Sequence, residues 1–305
     1  MILITGSRGF IGSALKAKLI NLHFDIIEVN SQKGGINNPK TFEGLLSQDI
    51  THVFHLAGKT FVPDSWKIPD TYFTTNVFGT QNVLEFCRKY KISLTFVSAY
   101  VYGKPETLPI AENCTIRPNN PYAQSKYLAE HLCRFYAQEF NLKVNIIRPF
   151  NAYGIGQDKR FLIPSIINQA LHDNAIILHD LSPKRDYIYL SDLIDALILS
   201  MTYIQNASVY NIGSGNSISV KDIVSTVQKI LGTDKPVISK EMPRKNEIFN
   251  IIADITKANK ELNWYPRHSF RDGLKQIVEY ELTYLKKENN ISIDSGRLSC
   301  DYRLI

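Results

Sequence analysis

The chain has 305 residues, 44% hydrophobic and 21% charged, with a formal net charge of +6. That length can bury one large core or two smaller lobes, and the balance is that of an ordinary globular protein rather than a disordered or fibrous one. The charge is modest and carries no basic run, so nucleic acid is a poor partner and an anionic small molecule suits it; no apolar stretch of about 18 residues exists to span a membrane.

The cysteines, Cys87, Cys114, Cys133 and Cys300, have neither paired nor metal-type spacing. Free thiols in a reducing cytoplasm are the expectation, with no metal site. The apolar start, Met1 to Gly6, is too short for a signal peptide.

Ile2 to Thr5 is an apolar run that stops at Gly6, as a buried parallel strand would. Gly6-Ser7-Arg8-Gly9-Phe10-Ile11-Gly12 follows and leads into a helical pattern through Leu15, Leu19 and Leu22. Glycines at three-residue intervals between strand and helix let backbone N–H groups approach a pyrophosphate at the helix N-terminus, so this turn is a candidate dinucleotide site. Asp25 to Val29 is the second strand. An NAD site usually has an acidic side chain where it ends, bonded to the ribose hydroxyls. Here Asn30 stands in that place, with Arg8 and Lys33 nearby, which favours the 2′-phosphate of NADP; NAD, with Asn30 on its ribose diol, is the alternative.

His52 to Gly58 is a third strand running into Leu56, Ala57 and Gly58, small enough to line the same crevice. A helix is predicted over Asp70 to Tyr90, containing Asn76. Leu94 to Ser98 leaves Ser98 at a strand's carboxyl end, the ligand-binding end of open parallel sheets. The next helix opens at Tyr122, and Lys126 lies one turn on, so phenol and ammonium can share a face. A nearby cation is expected to lower the tyrosine pKa, as a proton-transfer group near neutral pH requires. Lys143 to Arg148 is a further strand.

Alternating strands and helices over residues 1–150 predict a doubly wound parallel sheet. After Pro149, helices are predicted over 164–171, 191–203, 220–231, 254–262 and 270–285, with a strand over 207–212. Residues 151–285 are expected to form a smaller lobe whose segments partly return to the main sheet, and 286–305 a polar tail.

Several segments, in order, resemble the extended short-chain dehydrogenase/reductase family, in its nucleotide-sugar branch. They are the Gly6–Gly12 turn, His55-Leu56-Ala57, Asn76-Val77-x-Gly79-Thr80-x-Asn82, Ser98 with Val101-Tyr102-Gly103, and Tyr122-x-x-x-Lys126. Arg148-Pro149-Phe150-Asn151-x-Tyr153-Gly154, Arg185-Asp186-Tyr187-Ile188-x-Leu190-x-Asp192, Asn211-Ile212-Gly213-Ser214-Gly215 and Ala253-Asp254-x-x-Lys257-Ala258 complete them. The resemblance covers roughly residues 1–285. It implies a Rossmann-type cofactor domain with a C-terminal substrate lobe, and a nucleotide-diphosphate sugar as substrate.

By that resemblance, Tyr122 exchanges a proton with the sugar oxygen, Lys126 holds the nicotinamide ribose and Ser98 orients the same oxygen. Gly6, Arg8, Gly9, Phe10, Ile11, Gly12, Asn30, Leu56, Ala57, Gly58 and Asn76 would meet the cofactor. Asn151, Arg185 and Arg244 would meet the substrate, the arginines as bidentate clamps on its diphosphate. Glu247, where the family often has aspartate, is a candidate ribose or loop-ordering contact.

Dehydratases of the family carry an Asp-Glu pair where this chain has Ala99 and Tyr100, so elimination chemistry is not expected. The favoured function is NADPH-dependent reduction of a nucleotide-linked 4-keto-6-deoxysugar at C4. NAD-dependent 4-epimerisation of the UDP-glucose/UDP-galactose type is the alternative. A family-type homodimer would pack the 70–90 and 122–140 helices, with Phe73, Val77, Leu84, Leu128, Leu132 and Phe135 as candidate contacts.

Overall fold

The computed structural model describes residues 1–45, 49–204, 206–242 and 247–297, with side chains to residue 285 except that of Lys33. The first half runs β1 (Ile2–Thr5), α1 (Phe10–Asn21), β2 (Ile26–Val29), β3 (His52–His55), α2 (Val62–Ser65), α3 (Pro69–Phe73), α4 (Gly79–Tyr90), β4 (Ser93–Val97), α5 (Pro121–Phe140) and β5 (Val144–Pro149). The second half adds β6 (Asn151–Tyr153), α6 (Leu162–His172), β7 (Ile176–Leu178), β8 (Lys184–Tyr189), α7 (Leu190–Thr202), β9 (Asn206–Ile212), β10 (Ser217–Ser219), α8 (Val220–Leu231), β11 (Val237–Ser239), α9 (Thr256–Leu262) and α10 (Phe270–Arg297).

Six parallel strands in the order β2-β1-β3-β4-β5-β9 form the central sheet. Its strands are buried at most positions because both faces are covered. Successive side chains alternate between faces. Leu3, Val53, Leu94, Phe96, Val144 and Ile146 meet Val83, Leu84 and Cys87 of α4 and Ala129 and Cys133 of α5. Ile2, Ile4, Phe54, Val97, Ile147 and Tyr210 meet Leu15 and Leu19 of α1 and Leu193, Ile194 and Leu197 of α7. Each such side chain contributes about 1.5–3 kcal/mol on burial. Among the described residues no helix is long and apolar enough to cross a membrane.

After β1 the chain moves outward to β2, then returns past β1 to β3. The crevice at the carboxyl ends of β1 and β3 is therefore the topological switch point, where open α/β sheets bind ligands. The helix beside it begins sharply: Pro121 occupies its first turn, and the Asn120 side chain accepts from the Ala123 N–H at 2.9 Å. Asn141, left-handed at φ 52°, ends it.

The single helix predicted over Asp70–Tyr90 is three pieces: α3, one π-helical turn over Thr74–Phe78, and α4. Asn76 sits in that wide turn. Of the predicted dimer contacts, Leu84 belongs to the protein's own core, whereas Leu128 and Phe135 are exposed. Cys87, Cys114 and Cys133 are free thiols; Cys300 lies outside the described residues.

In the second half, β10, β8 and β6 form a three-stranded sheet and β11 pairs with β7. These sheets and helices α6, α8 and α10 enclose a separate core built on Tyr153, Ile166, Tyr187, Ile223, Leu274 and Val278. Strand β9 joins the central sheet, while α7 and α9 cover it. Helix α10 continues past residue 285 to Arg297.

Candidate active site

Strand β1 ends at Gly6, held at φ +73°, where a Cβ would lie 2.7 Å from the Ala57 nitrogen. At Gly12 a Cβ would fall on the Gly6 carbonyl oxygen and 2.9 Å from Ser7 Cα. Both glycines are required by backbone packing, which presses α1 against β1 and Leu56-Ala57. Gly9 differs: a Cβ there would meet only Gly6 O, at 3.3 Å. Gly9 caps α1 without a side-chain bond, and no acid stands in the first turn. The helix end thus presents its N–H groups openly to an anion. The Ser7 hydroxyl beside it is buried and unpartnered. An open helix N-terminus, a glycine that keeps side-chain atoms away from it and an unsatisfied hydroxyl fit a dinucleotide pyrophosphate. Phe10 and Ile11 pack partly on the core and set the depth of α1.

Beyond this turn opens a cavity of about 580 Å³ lined by Ser7, Arg8, Ser13, Lys16, Ala17, Ile20, Glu28 and Asn30. Arg8 is exposed. Lys16 bonds Glu28 at 2.6 Å. Asn30, expected on the cofactor ribose, uses its Oδ1 to accept from the Gln32 N–H at 3.1 Å, capping the turn over Ser31–Lys33. Its amide N–H groups and the second lone pair of Oδ1 remain for a ligand. The Lys33 side chain lies outside the described residues. Lys16 and Glu28 were not anticipated. Their signal was the stripe Ser13, Lys16, Ala17, Ile20 on one helix face and the alternation Glu28, Asn30 on one strand face.

The β3 end is tied down by a chain of hydrogen bonds. Ala57 N–H donates to Thr5 Oγ1 at 3.2 Å, Thr5 Oγ1 meets His55 Nδ1 at 2.7 Å, His55 Nε2 meets Thr80 Oγ1 at 2.9 Å, and Thr80 donates to Asn76 O at 2.7 Å. This order assigns the Nε2–H tautomer. His55 is pulled down to about 3, by burial first and Lys126 second, and is a neutral core histidine. Asn76, expected at the cofactor, is fully buried. Its Oδ1 accepts from Lys59 N–H at 2.8 Å, and its Nδ2 donates to Lys59 O at 3.0 Å and Ser125 Oγ at 2.9 Å. It reaches the crevice by clamping the Gly58–Lys59 loop to α5.

Lys126 is buried, with Nζ 4.1 Å from the centre of the Phe96 ring, and a Cβ on Gly58 would lie 4.0 Å from it. It therefore faces the crevice at the end of β3. Burial lowers its pKa to about 8. The Tyr122 phenol is pushed above its ordinary value by burial and by the neighbouring Tyr72, whose ring stands edge-on at 6.4 Å. This corrects the expected depression by Lys126. Desolvation penalises both charged forms, raising the phenol and lowering the ammonium. Ser98, at the end of β4, is buried and donates to Glu130 Oε1 at 2.5 Å.

In the second lobe, Asn151 on β6 donates to Asp186 O at 2.9 Å, next to Arg185 on paired strand β8. Arg185 donates to Lys184 O at 2.9 Å, to Ile248 O and to the Glu247 carboxylate. Glu247 thus meets an arginine; Arg244 lies outside the described residues. Asp186 gathers the N–H groups of Ser214, Gly215 and Ala253. Where a dehydratase would carry its acids, Ala99 is buried and the Tyr100 hydroxyl donates to Gly103 O at 2.6 Å.

The model of the NAD-dependent epimerase/dehydratase family matches residues 2–213. The dTDP-4-dehydro-6-deoxyglucose reductase of Escherichia coli is 32% identical over 308 residues, which cover 91% of this chain and 96% of the reductase. A crystal structure of UDP-glucose 4-epimerase from Thermotoga maritima with UDP-glucose is 30% identical with a TM-score of 0.88, covering 93% of this chain and 99% of that one. The structure of RMD from Pseudomonas aeruginosa complexed with NADPH is 26% identical with a TM-score of 0.84, covering 91% and 97%. A family match over more than half the length, with both epimerases and reductases spanned almost end to end, settles the membership: this chain belongs to the NAD-dependent epimerase/dehydratase family, enzymes of the extended short-chain dehydrogenase/reductase type.

Proposed function

We propose that this enzyme reduces a nucleotide-diphosphate-linked 4-keto-6-deoxysugar at C4, using NADPH. The observation that carries this reading is the cavity beyond the glycine turn. Arg8 and Lys16 bring two cations there, and the one carboxylate, Glu28, is already paired with Lys16. The remaining positive charge and the Ser7 hydroxyl suit a 2′-phosphate better than a bare ribose diol.

The backbone N–H groups of the Gly6–Gly12 turn would hold the pyrophosphate, and Leu56, Ala57 and Gly58 would line the nicotinamide half. The bound cofactor supplies hydride to the sugar carbon. Tyr122 gives its phenolic proton to the carbonyl oxygen, which becomes the C4 hydroxyl, and solvent returns the proton. Lys126 holds the nicotinamide ribose, and the Ser98 oxygen, with its proton on Glu130, accepts from the C4 hydroxyl as it forms. Asn151, Arg185 and Arg244 take the substrate diphosphate, Arg185 exchanging Glu247 for phosphate.

Consumption of NADPH, one per sugar reduced, on incubation with dTDP-, GDP- or CDP-linked 4-keto-6-deoxysugars is the expected result, followed at the nicotinamide absorbance band. No cofactor oxidation, with interconversion of UDP-glucose and UDP-galactose instead, rejects the reductase in favour of the 4-epimerase. That second reading draws on the equally close likeness to an epimerase. The same proposal places the enzyme in the cytoplasm as a homodimer, with Phe78, Leu128 and Phe135 as exposed apolar contacts on the outer side of the α4–α5 layer. Sedimentation of a monomer at micromolar concentration would reject the dimer.

A further inference from the structure

Helix α5 carries another charged residue in the row of Tyr122 and Lys126. Glu130 is one turn beyond Lys126, and both it and Arg148 at the end of β5 are fully buried. Arg148 meets it as a fork, Nη2 to Oε2 at 2.6 Å and Nε to Oε1 at 2.9 Å. The guanidinium also donates to the Tyr102 hydroxyl at 2.8 Å, Tyr102 donates to Asn211 Oδ1 at 2.6 Å, and Asn211 Nδ2 donates to Ile110 O at 2.9 Å. Four separate segments therefore meet at one ion pair.

Tethering alone does not account for it. A well-packed apolar pair of similar volume commonly holds elements together as well as a buried ion pair, without the desolvation penalty. What the carboxylate adds is an ionised acceptor for the Ser98 hydroxyl, 2.5 Å away. Such charge-assisted bonds are roughly twice as strong as neutral ones. A serine otherwise chooses among three rotamers. Here the carboxylate, itself immobilised by the arginine fork, selects one.

We propose that Glu130 is a positioning residue of the catalytic reaction, acting through Ser98: its carboxylate, locked by Arg148, takes the Ser98 proton and so fixes the rotamer in which the Ser98 oxygen accepts from the C4 hydroxyl of the sugar. This rests on the role given to Ser98 above. Misplacing a group that aligns the reacting oxygen lowers the rate of the bound complex more than its formation.

The test is a cycle of Glu130→Gln and Ser98→Ala, assayed for kcat and KM in whichever reaction the wild type catalyses. Glu130→Gln is expected to lower kcat on the order of 10- to 100-fold with KM within about threefold, and to have less than about a twofold further effect in the Ser98→Ala background. Equal losses in the two backgrounds mean that Glu130 only supports the fold, and overturn the inference while leaving Ser98 catalytic. Unchanged turnover in Ser98→Ala alone overturns the role of Ser98 and the inference with it. If Glu130→Gln leaves Arg148 too poorly paired to fold, Glu130→Gln/Arg148→Met removes both charges and enters the same cycle with the same expected outcomes.

Discussion

Replacing Lys126 with methionine is expected to stabilise the protein while abolishing its turnover. The ammonium is buried, over an aromatic ring rather than against a carboxylate, and its pKa falls from 10.5 to about 8. At about 1.4 kcal/mol per unit, that difference makes the charged lysine about 3 kcal/mol unfavourable to the folded state, a large share of the 5–15 kcal/mol by which domains are ordinarily stable. Methionine keeps most of the apolar length and removes the charge. Below about pH 8 both folded and unfolded wild-type chains carry the proton, so the full penalty applies. Between about 8 and 10.5 the unfolded chain binds more protons than the folded one, and the penalty is relieved as pH rises. Urea unfolding of both proteins from about pH 7 to about pH 10 should show Lys126→Met more stable by about 3 kcal/mol at the neutral end, the gap narrowing as pH rises. A variant no more stable than wild type near neutrality, or a gap indifferent to pH, would refute the reasoning.

Tyr122→Phe removes the proton donor and little else, so turnover should fall at least about a thousandfold while NADPH affinity stays within about twofold; unchanged turnover would place the donor elsewhere. Arg8→Ala should weaken NADPH by on the order of tenfold or more and leave NADH nearly unaffected, as titration calorimetry with the two cofactors would show. Gly9→Ala and Gly12→Ala separate two uses of glycine. The first needs only a small shift of the Gly6 carbonyl, 3.3 Å away, and should cut cofactor affinity with little loss of Tm, whereas the second falls on that carbonyl and should lower both strongly. A large loss of Tm in Gly9→Ala would show that the turn needs that glycine for its own packing.

The main sheet was legible because its parallel strands are buried on both faces and read as largely apolar runs, β1, β2 and β4 being closed by Gly6, Asn30 and Ser98 at the ligand end. The positions of Tyr122, Lys126, Ser98 and the glycine turn were legible for a related reason: each follows from a short spacing within one helix, strand end or loop. The strands β6, β7, β10 and β11 went unrecognised because three residues carry no periodicity. The π turn at Asn76 was equally invisible, since its cause is a side chain clamping a loop seventeen residues away.

By itself, then, the sequence determined the alternation of strands and helices in the first half, the glycine turn and the types of residue brought to the strand ends, because local spacing dictates these. Tertiary structure alone decided the electrostatics. Burial set Tyr122 above and Lys126 below their ordinary values, against the expectation from their proximity. Packing joined Lys16 to Glu28 across the cofactor cavity. It also brought Glu130, Arg148 and Ser98 together from a helix and two strand ends. Desolvation and long-range pairing depend on what surrounds a group in space, and no window of sequence contains that.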